Sequence, residues 1–339
     1  MEEPQNILVR MPNWVGDLVM ATPVLTDLKA AFPKASITAM CRKPLCDLLK
    51  KDVSIDELFC FEKPSNDFLR RKGLRDIIGK VQTGKYDVGV LLTNSFSSAW
   101  WFWQGKVKRR IGYADHFRSF LLTDPVKLAS DKEHLVDSFK KLLFPLCVPV
   151  SKTKPRLYLT EKEIEESKEL LYQRGYVRGA KIIGINPGAA YGSAKCWPPE
   201  RFKAIAKKII DEIDGYVVFF GDTNTASLVK EISSGLPSKV IDLAGVTNLR
   251  ELACIIKDCN VLVTNDSGPM HIADALGTPL VALFGSTDSE ITGPYEQRGN
   301  VIKKDVECSP CFKRTCPIDF RCMKGISVDE VAQKVIELC

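Results

Sequence analysis

Short apolar runs alternate with helical patterns along most of the chain, and this alternation constrains the fold more than any other feature. Runs such as Val88–Leu92 are apolar at every position, which predicts strands buried on both faces of a sheet. A helix between successive strands predicts parallel pairing with crossover connections. The first half has predicted strands at Ile7–Met11, Ile37–Met40, Leu58–Phe61 and Val88–Leu92, and predicted helices at Leu18–Phe32, Leu45–Leu49, Phe68–Val81 and Ser97–Trp103.

The second half repeats this pattern after a basic stretch, Val150–Arg156. Its predicted strands are Lys181–Ile185, Tyr216–Phe220, Val240–Leu243, Val261–Thr264 and Leu280–Phe284, and its predicted helices are Pro199–Ile213, Thr225–Ser233, Leu249–Lys257 and Met270–Leu276. The length of 339 residues suits two domains. We therefore predict an α/β chain with two Rossmann-like, doubly wound domains that face each other across a cleft, formed by residues 1–155 and 156–339.

Positive charge is concentrated in the first half. The net charge is +6, and residues 1–150 hold 23 basic and 17 acidic side chains, whereas the two classes are equal in number in the remainder. This modest surplus favours an anionic ligand or a membrane surface as the partner of the N-terminal half. It is too small to indicate nucleic acid, so no nucleic-acid partner is expected.

The first loop suited to chemistry runs from Pro12 to Asp17, between the first predicted strand and helix. It lacks the Gly-x-Gly-x-x-Gly spacing of a dinucleotide-binding loop. Gly16 permits a tight turn, and Asp17 can cap the following helix, whose dipole favours its charge. Alternatively, Asp17 faces the cleft as a general base that takes a proton from an attacking hydroxyl. The local residues are compatible with both roles.

Two loops of the second half are suited to binding phosphate. Small residues between Pro187 and Ala194, including Gly188 and Ser193, let backbone amides approach an anion, and Lys195 adds a mobile positive charge. A solvated surface loop is the alternative for this segment.

The second such loop, from Asn265 to His271, opens a predicted helix. The backbone amides of Ser267, Gly268 and Met270 predict an anion site at the helix N-terminus. His271 is either a hydrogen-bond donor to phosphate or a buried core imidazole.

Three motifs resemble the ADP-heptose:lipopolysaccharide heptosyltransferases of glycosyltransferase family 9. They are Met11–Met20, the Lys195-x-Trp197-Pro198 loop and the Asn265-Asp266-Ser267-Gly268-x-x-His271 turn, and together they span most of the chain in order. Trp14–Asp17, Asn94-Ser95 and the Lys195-x-Trp197-Pro198 loop look more like heptosyltransferase II than I. The resemblance implies inverting enzymes of the GT-B fold.

For the donor, the resemblance implies ADP-L-glycero-β-D-manno-heptose and no required cofactor. It implies that Asp17 is the catalytic base and that Lys195 neutralises the diphosphate. Donor binding is further expected from Gly188, Ser193, Asp222, Asp266, Ser267, Gly268 and His271. Because Asp266 is itself anionic, it is expected to accept from sugar hydroxyls or to orient its turn. Asp222 follows the strand Tyr216–Phe220 and could accept from the ribose, although the family often has a Glu slightly later.

For the acceptor, the lipopolysaccharide core presents carboxylates and phosphates. Asn94, Ser95 and Arg118 are the expected acceptor-binding residues, and a basic run from Lys106 to Arg110 lies in the same half. The chain is expected to be a cytoplasmic monomer, peripheral to the cytoplasmic face of the inner membrane.

A cysteine-rich segment near the end departs from the heptosyltransferase pattern. Cys308, Cys311, Cys316 and Cys322 could form a structural zinc or iron–sulfur site, since the first pair has metal-ligand spacing. The later spacings are irregular, so four reduced thiols or a labile disulfide are the favoured alternative. No metal is expected in catalysis.

The sequence therefore predicts a heptosyltransferase that transfers heptose from ADP-heptose to the first heptose of the lipopolysaccharide inner core. The alternatives are heptosyltransferase I or III, a related nucleotide-sugar transferase, and a non-catalytic two-domain sugar-binding protein. ADP release that depends on an acceptor separates the enzymes from the binding protein.

Overall fold

The computed structural model describes residues 3–62, 67–127 and 132–339, and the chain divides into two compact units, Met1–Tyr158 and Leu159–Cys339. The division lies three residues beyond the predicted boundary at 155/156. Each unit contains a six-stranded, all-parallel sheet. The predicted α/β class with two doubly wound sheets is confirmed.

The N-terminal unit has strands in the order β3-β2-β1-β4-β5-β6. Its strands are β1 Asn6–Arg10, β2 Ser36–Arg42, β3 Glu57–Phe61, β4 Val88–Leu91, β5 Arg109–Tyr113 and β6 Asp124–Val126, and its helices are α1 Val15–Met20, α2 Thr22–Ala31, α3 Asp67–Thr83, α4 Phe96–Gln104 and α5 Leu135–Lys141. The order reverses between β1 and β4, so loops that leave these two strands line one crevice.

The helix predicted at Leu18–Phe32 is wrong in its extent: it is two helices that meet at Ala21. The reason lies at Pro23. In an unbroken helix residue 23 would donate its backbone N–H to the carbonyl oxygen of Val19, but proline has no such donor. The hydroxyl of Thr22 donates to that carbonyl instead, at 2.8 Å.

The C-terminal unit repeats the same topology, with β7 and β10 central in the order β12-β11-β10-β7-β8-β9. Its strands are β7 Ile182–Asn186, β8 Tyr216–Phe219, β9 Val240–Asp242, β10 Val261–Asn265, β11 Leu280–Phe284 and β12 Val301–Lys303, and its helices are α6 Glu161–Tyr172, α7 Pro199–Ile213, α8 Ala226–Ser233, α9 Leu249–Asp258, α10 Gly268–Leu276, α11 Ser289–Thr292, α12 Arg321–Lys324 and α13 Val328–Leu338. Every residue of β7, β10 and β11 is buried, as expected for strands covered on both faces.

Local signals fix several helix ends. Asn248 and Glu251 form a reciprocal capping box at the start of α9, and Gly277 ends α10 in the left-handed conformation with φ of 70°. Helices pack their apolar faces on the sheets; for example, Phe202 and Ile205 of α7 share a buried cluster with Val217 and Phe219 of β8. Among the helices described, none is long and apolar enough to cross a bilayer.

Candidate functional site

The residues predicted to bind the donor gather at the carboxyl ends of β7 and β10. These neighbouring strands lie where the strand order of the C-terminal sheet reverses, which is where open α/β sheets bind ligands. Gly188, Ser193 and Lys195 follow β7, whereas Asp266, Ser267 and Gly268 follow β10. The sheet therefore brings together two segments that are about 75 residues apart in the chain.

A nearly buried ion pair lies at the centre of this edge. The Lys195 Nζ atom lies 2.5 Å from Oδ2 of Asp266, and the two side chains are 13% and 5% exposed. The hydroxyl of Thr287, just beyond β11, donates to the same carboxylate oxygen at 2.6 Å. Asp266 thus holds Lys195 in place, and the two roles predicted for it, binding sugar hydroxyls or orienting its own turn, stay predictions.

Two asparagines that end the central strands fix the loops around this pair. The side-chain amide of Asn186 donates to the hydroxyl of Ser267 and to the carbonyl of Gly188, both at 3.0 Å. Asn265 accepts from the backbone N–H of Trp197 at 2.9 Å and donates to the carbonyl of Pro187 at 2.7 Å. Each asparagine joins the loop after β7 to β10 or to the turn that follows it, so the two loops form one hydrogen-bonded unit.

The loop that carries Lys195 rests on the cysteine-rich segment. Ala194 donates its backbone N–H to the carbonyl of Arg314 at 3.0 Å, and a Cβ at Gly192 would collide with that carbonyl. The ring of Tyr191 lies 4.9 Å from Lys195 Nζ and 5.4 Å from the Arg314 guanidinium carbon. Residue 192 must therefore be glycine for the loop to approach this closely.

Gly188 is also buried, and a Cβ there would lie 2.8 Å from a methyl group of Thr225. This position therefore favours glycine as well. Ser193 is exposed and begins the short 3₁₀ turn Ser193–Lys195. Both positions belong to the loop between β7 and α7 that carries Lys195. Their contact with a donor stays a prediction.

Helix α10 begins at this edge with Ser267 as its N-cap residue. The backbone N–H of Met270 donates to the carbonyl of Ser267 at 3.2 Å, so the predicted free amide at Met270 is wrong: the first turn of the helix uses it. The chain at Ser267 and Gly268 is half-buried at the loop–helix junction. His271 is 5% exposed, and its contact with a donor phosphate stays a prediction.

Asp222 lies in the loop after β8, the strand next to β7. Its carboxylate accepts from the backbone N–H and the hydroxyl of Thr225, both at 2.9 Å, and from the Asn224 amide at 3.2 Å. Although partial burial opposes the effect, these hydrogen bonds hold the pKa of Asp222 below its ordinary value. The residue is exposed and ionised, and ribose binding stays a prediction for it.

The four C-terminal cysteines pack near β11. The backbone N–H of Cys311 donates to the carbonyl of Ser286, and a Cβ at Gly285 would lie 3.1 Å from the Cys322 sulfur. Burial raises the pKa of the Cys322 thiol. Within residues 3–62, 67–127 and 132–339, no three His, Cys, Asp or Glu side chains are placed to hold a metal ion.

In the N-terminal unit, Asp17 and the Asn94-Ser95 pair follow β1 and β4, the two strands at which the strand order reverses. Asp17 occupies the third position of α1, and Trp14 is the N-cap residue, so the carboxylate is not the helix cap. Ser95 caps α4 by accepting from the backbone N–H of Ser98 at 3.4 Å, whereas Asn94 is exposed. The sheet places the predicted base and the predicted acceptor residues at one crevice.

Arg118 is fully buried and binds the loop that carries Asn94 and Ser95. Its guanidinium donates to the backbone carbonyls of Tyr113, Thr93 and Ser95 and to the side-chain oxygen of Asn94, the last at 3.1 Å. Burial lowers the pKa of Arg118 to about 10. Direct acceptor binding by Arg118 stays a prediction, but the contacts support a positioning role.

The basic run from Lys106 to Arg110 does not lie at this crevice. Residues 106–108 precede β5, and Arg109 and Arg110 are the first two residues of this strand. The run therefore occupies the amino end of β5, whereas the carboxyl end of β5 borders the crevice. Arg109 pairs with Asp124 at 2.7 Å, and Arg110 donates to the carbonyls of Leu121 and Val107. Because parallel strands carry their two ends to opposite edges, we do not assign the run to the acceptor.

Sequence reasoning missed Arg10, the last residue of β1. It is 2% exposed, and its guanidinium donates to the side-chain oxygen of Asn13 at 2.6 Å and lies 4.7 Å from the centre of the Phe61 ring. Burial lowers its pKa to about 10. Arg10 shapes the Pro12–Asp17 loop. The sequence signal for Arg10 is a charged residue near the end of the otherwise apolar run Ile7–Met11.

Comparison with known proteins gives consistent matches. Residues 74–320 match the family model described as glycosyltransferase family 9 (heptosyltransferase). The lipooligosaccharide heptosyltransferase 2 of Haemophilus influenzae is 32% identical over 311 residues, which cover 88% of each chain. The solved ADP-heptose lipopolysaccharide heptosyltransferase II of Escherichia coli aligns over 98% of both chains, with a TM-score of 0.85 and 28% identity.

A family 9 glycosyltransferase structure from Veillonella parvula aligns over 100% of this chain and 98% of its own, with a TM-score of 0.87 and 25% identity. The resemblance stated from the motifs, including its likeness to heptosyltransferase II, is confirmed.

Proposed function

The chain belongs to glycosyltransferase family 9, the heptosyltransferases, and from this premise we propose that it transfers L-glycero-D-manno-heptose from ADP-heptose to the inner core of lipopolysaccharide. We assign it the role of heptosyltransferase II, with the first core heptose as acceptor. The observation that carries the proposal is the Lys195–Asp266 pair at the carboxyl edge of the C-terminal sheet. A lysine held there can meet a diphosphate where α/β sheets bind nucleotides.

The C-terminal unit supplies the donor site in this proposal. Lys195 offsets the charge that develops on ADP as the glycosidic bond breaks, and the half-buried turn at Ser267 and Gly268 adds backbone amides and the positive end of the α10 dipole. Asp222, exposed after β8, is the candidate for the ribose hydroxyls. No cofactor is assigned to the reaction.

The N-terminal unit supplies the acceptor side. Asp17 takes the proton from the acceptor hydroxyl as that oxygen attacks the anomeric carbon from the face opposite ADP, which inverts the anomeric configuration. Asn94 is exposed after the neighbouring strand β4 and offers both a donor and an acceptor to a core sugar. Arg118 holds the Thr93–Ser95 backbone in place for this contact. We further propose that the protein works as a cytoplasmic monomer that associates peripherally with the inner membrane.

The test is ADP release from ADP-heptose, measured with and without a deacylated core acceptor. We expect release that depends on acceptor, which a sugar-binding protein would not give. Asp17→Asn should lower turnover by about 10²-fold or more, the scale of general-base catalysis, while ADP binds with unchanged affinity in calorimetry. Glu62→Gln is the matched control, because that carboxylate belongs to the same unit and is 72% exposed.

Two outcomes would count against the proposal. Release that is equal with and without acceptor would reject the transfer reaction. Full turnover in Asp17→Asn would remove the general base from this position and return Asp17 to a structural role in the first turn of α1.

A further inference from the structure

Two buried arginines of the N-terminal unit have no carboxylate as a hydrogen-bond partner. Arg10 is 2% exposed and Arg118 is 0% exposed. In the part of the chain that the structure describes, both guanidiniums donate to backbone carbonyls and to asparagine side chains. Burial lowers the pKa of each to about 10, which leaves both charged at neutral pH. A buried cation without a counter-ion is costly to keep, so the two charges point to function.

Each guanidinium holds one exposed asparagine. Arg10 donates to the side-chain oxygen of Asn13 at 2.6 Å, and Arg118 donates to that of Asn94 at 3.1 Å. Both asparagines are exposed, although the arginines that they contact are buried. Because a guanidinium has donors only, each amide must turn its oxygen towards the arginine. The Nδ2 group, with its two N–H donors, is then the end that faces away from the buried cation.

The two asparagines occupy equivalent places after neighbouring strands. β1 and β4 pair in parallel, with Arg10 opposite Leu91. Asn13 and Asn94 each lie three residues beyond these paired positions. The carboxyl ends of parallel strands meet at one edge of a sheet, and Asp17 follows β1 at the same edge. The two Nδ2 groups therefore belong to the crevice that we assign to the acceptor.

Buried polar atoms that lack a partner are concentrated at this edge. In the described part of the chain, three buried side-chain polar atoms have no hydrogen bond, and two of them are Nε of Arg10 and Oγ1 of Thr93. Thr93 is 8% exposed and directly precedes Asn94. Buried polar atoms are normally paired, and an unpaired one costs free energy that a ligand can return. Two of them at one crevice indicate that a polar ligand completes the bonding there.

We propose that Asn13 and Asn94 bind an oxyanion of the acceptor glycan, a carboxylate or a phosphate, through their side-chain amides. The two arginines act as positioning residues that orient the amides and place positive charge behind them. Each asparagine oxygen is bound to a cation, which polarises the amide and strengthens its N–H groups as donors. The bound anion fixes the core sugar and so selects the hydroxyl that reaches Asp17. The inference rests on the proposed function for the glycan that carries the anion.

The test replaces each asparagine by aspartate in the full chain. Aspartate has the same shape, and its bond to the arginine becomes an ion pair, so the Tm should not fall. It presents a negative oxygen where the amide presented a donor, so the oxyanion loses a hydrogen bond and meets a like charge. For Asn13→Asp and for Asn94→Asp, we expect the Kd and KM of a deacylated core acceptor to rise about 10- to 100-fold. The affinity for ADP should stay unchanged.

Gln82→Glu is the matched control, because it makes the same amide-to-carboxylate change at an exposed position of the same unit. Gln82 lies in the last turn of α3, which leads to the amino end of β4 and so to the opposite edge of the sheet. This variant should bind and use the acceptor as the wild type does.

Chemical treatment of the acceptor identifies the anion. One portion is dephosphorylated with a phosphatase, and a second has its carboxylates reduced to alcohols. The treatment that removes the contacted group should make the two aspartate variants and the wild type bind alike, whereas the other treatment should leave the difference in place.

Three results would overturn the proposal. The first is a wild-type Kd for the untreated acceptor in both aspartate variants. The second is an equal loss of affinity for an acceptor that lacks both phosphates and carboxylates, since the contacted group would then be neutral. The third is a lowered Tm in both variants, since the asparagine oxygens would then not face the arginines.

Calorimetry separates this inference from the proposed function. If the wild type binds the acceptor but transfers no heptose, the proposed function fails, and the Kd values of the aspartate variants decide the oxyanion site by themselves. If the wild type transfers heptose and the aspartate variants keep its Kd, the oxyanion site fails alone. A wild type that does not bind the acceptor at all would overturn both.

Discussion

Replacing Lys195 by alanine separates a phosphate ligand from a purely structural ion pair. Lys195 Nζ lies 2.5 Å from Asp266, and both side chains are largely buried, so the substitution leaves a carboxylate at 5% exposure without its cation. Asp266 keeps the hydrogen bond that it accepts from the Thr287 hydroxyl at 2.6 Å. The variant should therefore show one effect on folding and a second, separate effect on ADP.

The folding effect can be estimated from these contacts. Breaking a fully buried pair by removing one partner costs about 3–5 kcal/mol. The Thr287 hydroxyl and the partial exposure of the lysine should reduce this to about 2 kcal/mol, or roughly 4–8 °C in Tm for a unit of this size. The ADP effect comes from a lost charge-assisted hydrogen bond of about 1.5–3 kcal/mol, which is about 10- to 100-fold in Kd.

Calorimetric titration with ADP and thermal unfolding measure the two effects on the same samples. Lys207→Ala, at an exposed lysine of α7, is the control and should change neither. The double variant Lys195→Ala, Asp266→Asn should recover most of the Tm that Lys195→Ala loses, because a neutral amide can be buried without a counter-ion. It should not recover ADP affinity. Wild-type ADP affinity in Lys195→Ala would refute the reasoning and leave Lys195 as a structural partner only.

Three further results are expected. Gly192→Ala should weaken ADP binding about tenfold in calorimetry, because its Cβ collides with the carbonyl of Arg314 and must displace the Lys195 loop; unchanged binding would mean that the loop adapts freely. Arg118→Ala should destabilise the protein by about 2–4 kcal/mol in urea unfolding, because buried carbonyls lose their donor, with unchanged ADP affinity. The Glu163 carboxylate accepts two hydrogen bonds from the guanidinium of Arg250. These bonds lower the pKa of Glu163 to about 2, below its unfolded value of 4.5. The resulting stability is present above about pH 4.5 and is lost as the pH falls towards 2. Glu163→Gln should thus cost about 1–2 kcal/mol at pH 7 and progressively less below pH 4.5, and a pH-independent cost would contradict the assignment.

Buried, uncharged strands and helices with one apolar face were predictable from sequence. Pro199–Ile213 and Leu280–Phe284 were predicted with the bounds that the structure gives. Strand β5 was missed because it begins with Arg109 and Arg110, whose charges hide an interior strand from any hydropathy pattern. The structure accommodates them through Asp124 and backbone carbonyls.

Local sequence motifs point to candidate site residues, whose roles stay predictions. Lys195 and Asp266 were both identified, but their mutual contact was not, because it depends on β7 and β10 being neighbours in the sheet. For Arg118, the expectation from the sequence alone differs from what the structure shows. An arginine in a basic half suggests an exposed ligand contact, whereas only the packed structure shows that its donors serve three backbone carbonyls.

The Lys195–Asp266 pair has a consequence for the end of the catalytic cycle. A lysine that bound diphosphate in a dry pocket without a second partner would hold the spent nucleotide tightly, because its departure would leave a bare cation. Here Asp266 lies 2.5 Å away and is itself held by Thr287. In the proposed reaction the ammonium would exchange one anion for another as ADP leaves, and the pocket would return to neutrality without water having to solvate a buried charge. We therefore expect Asp266 to lower the barrier to product release.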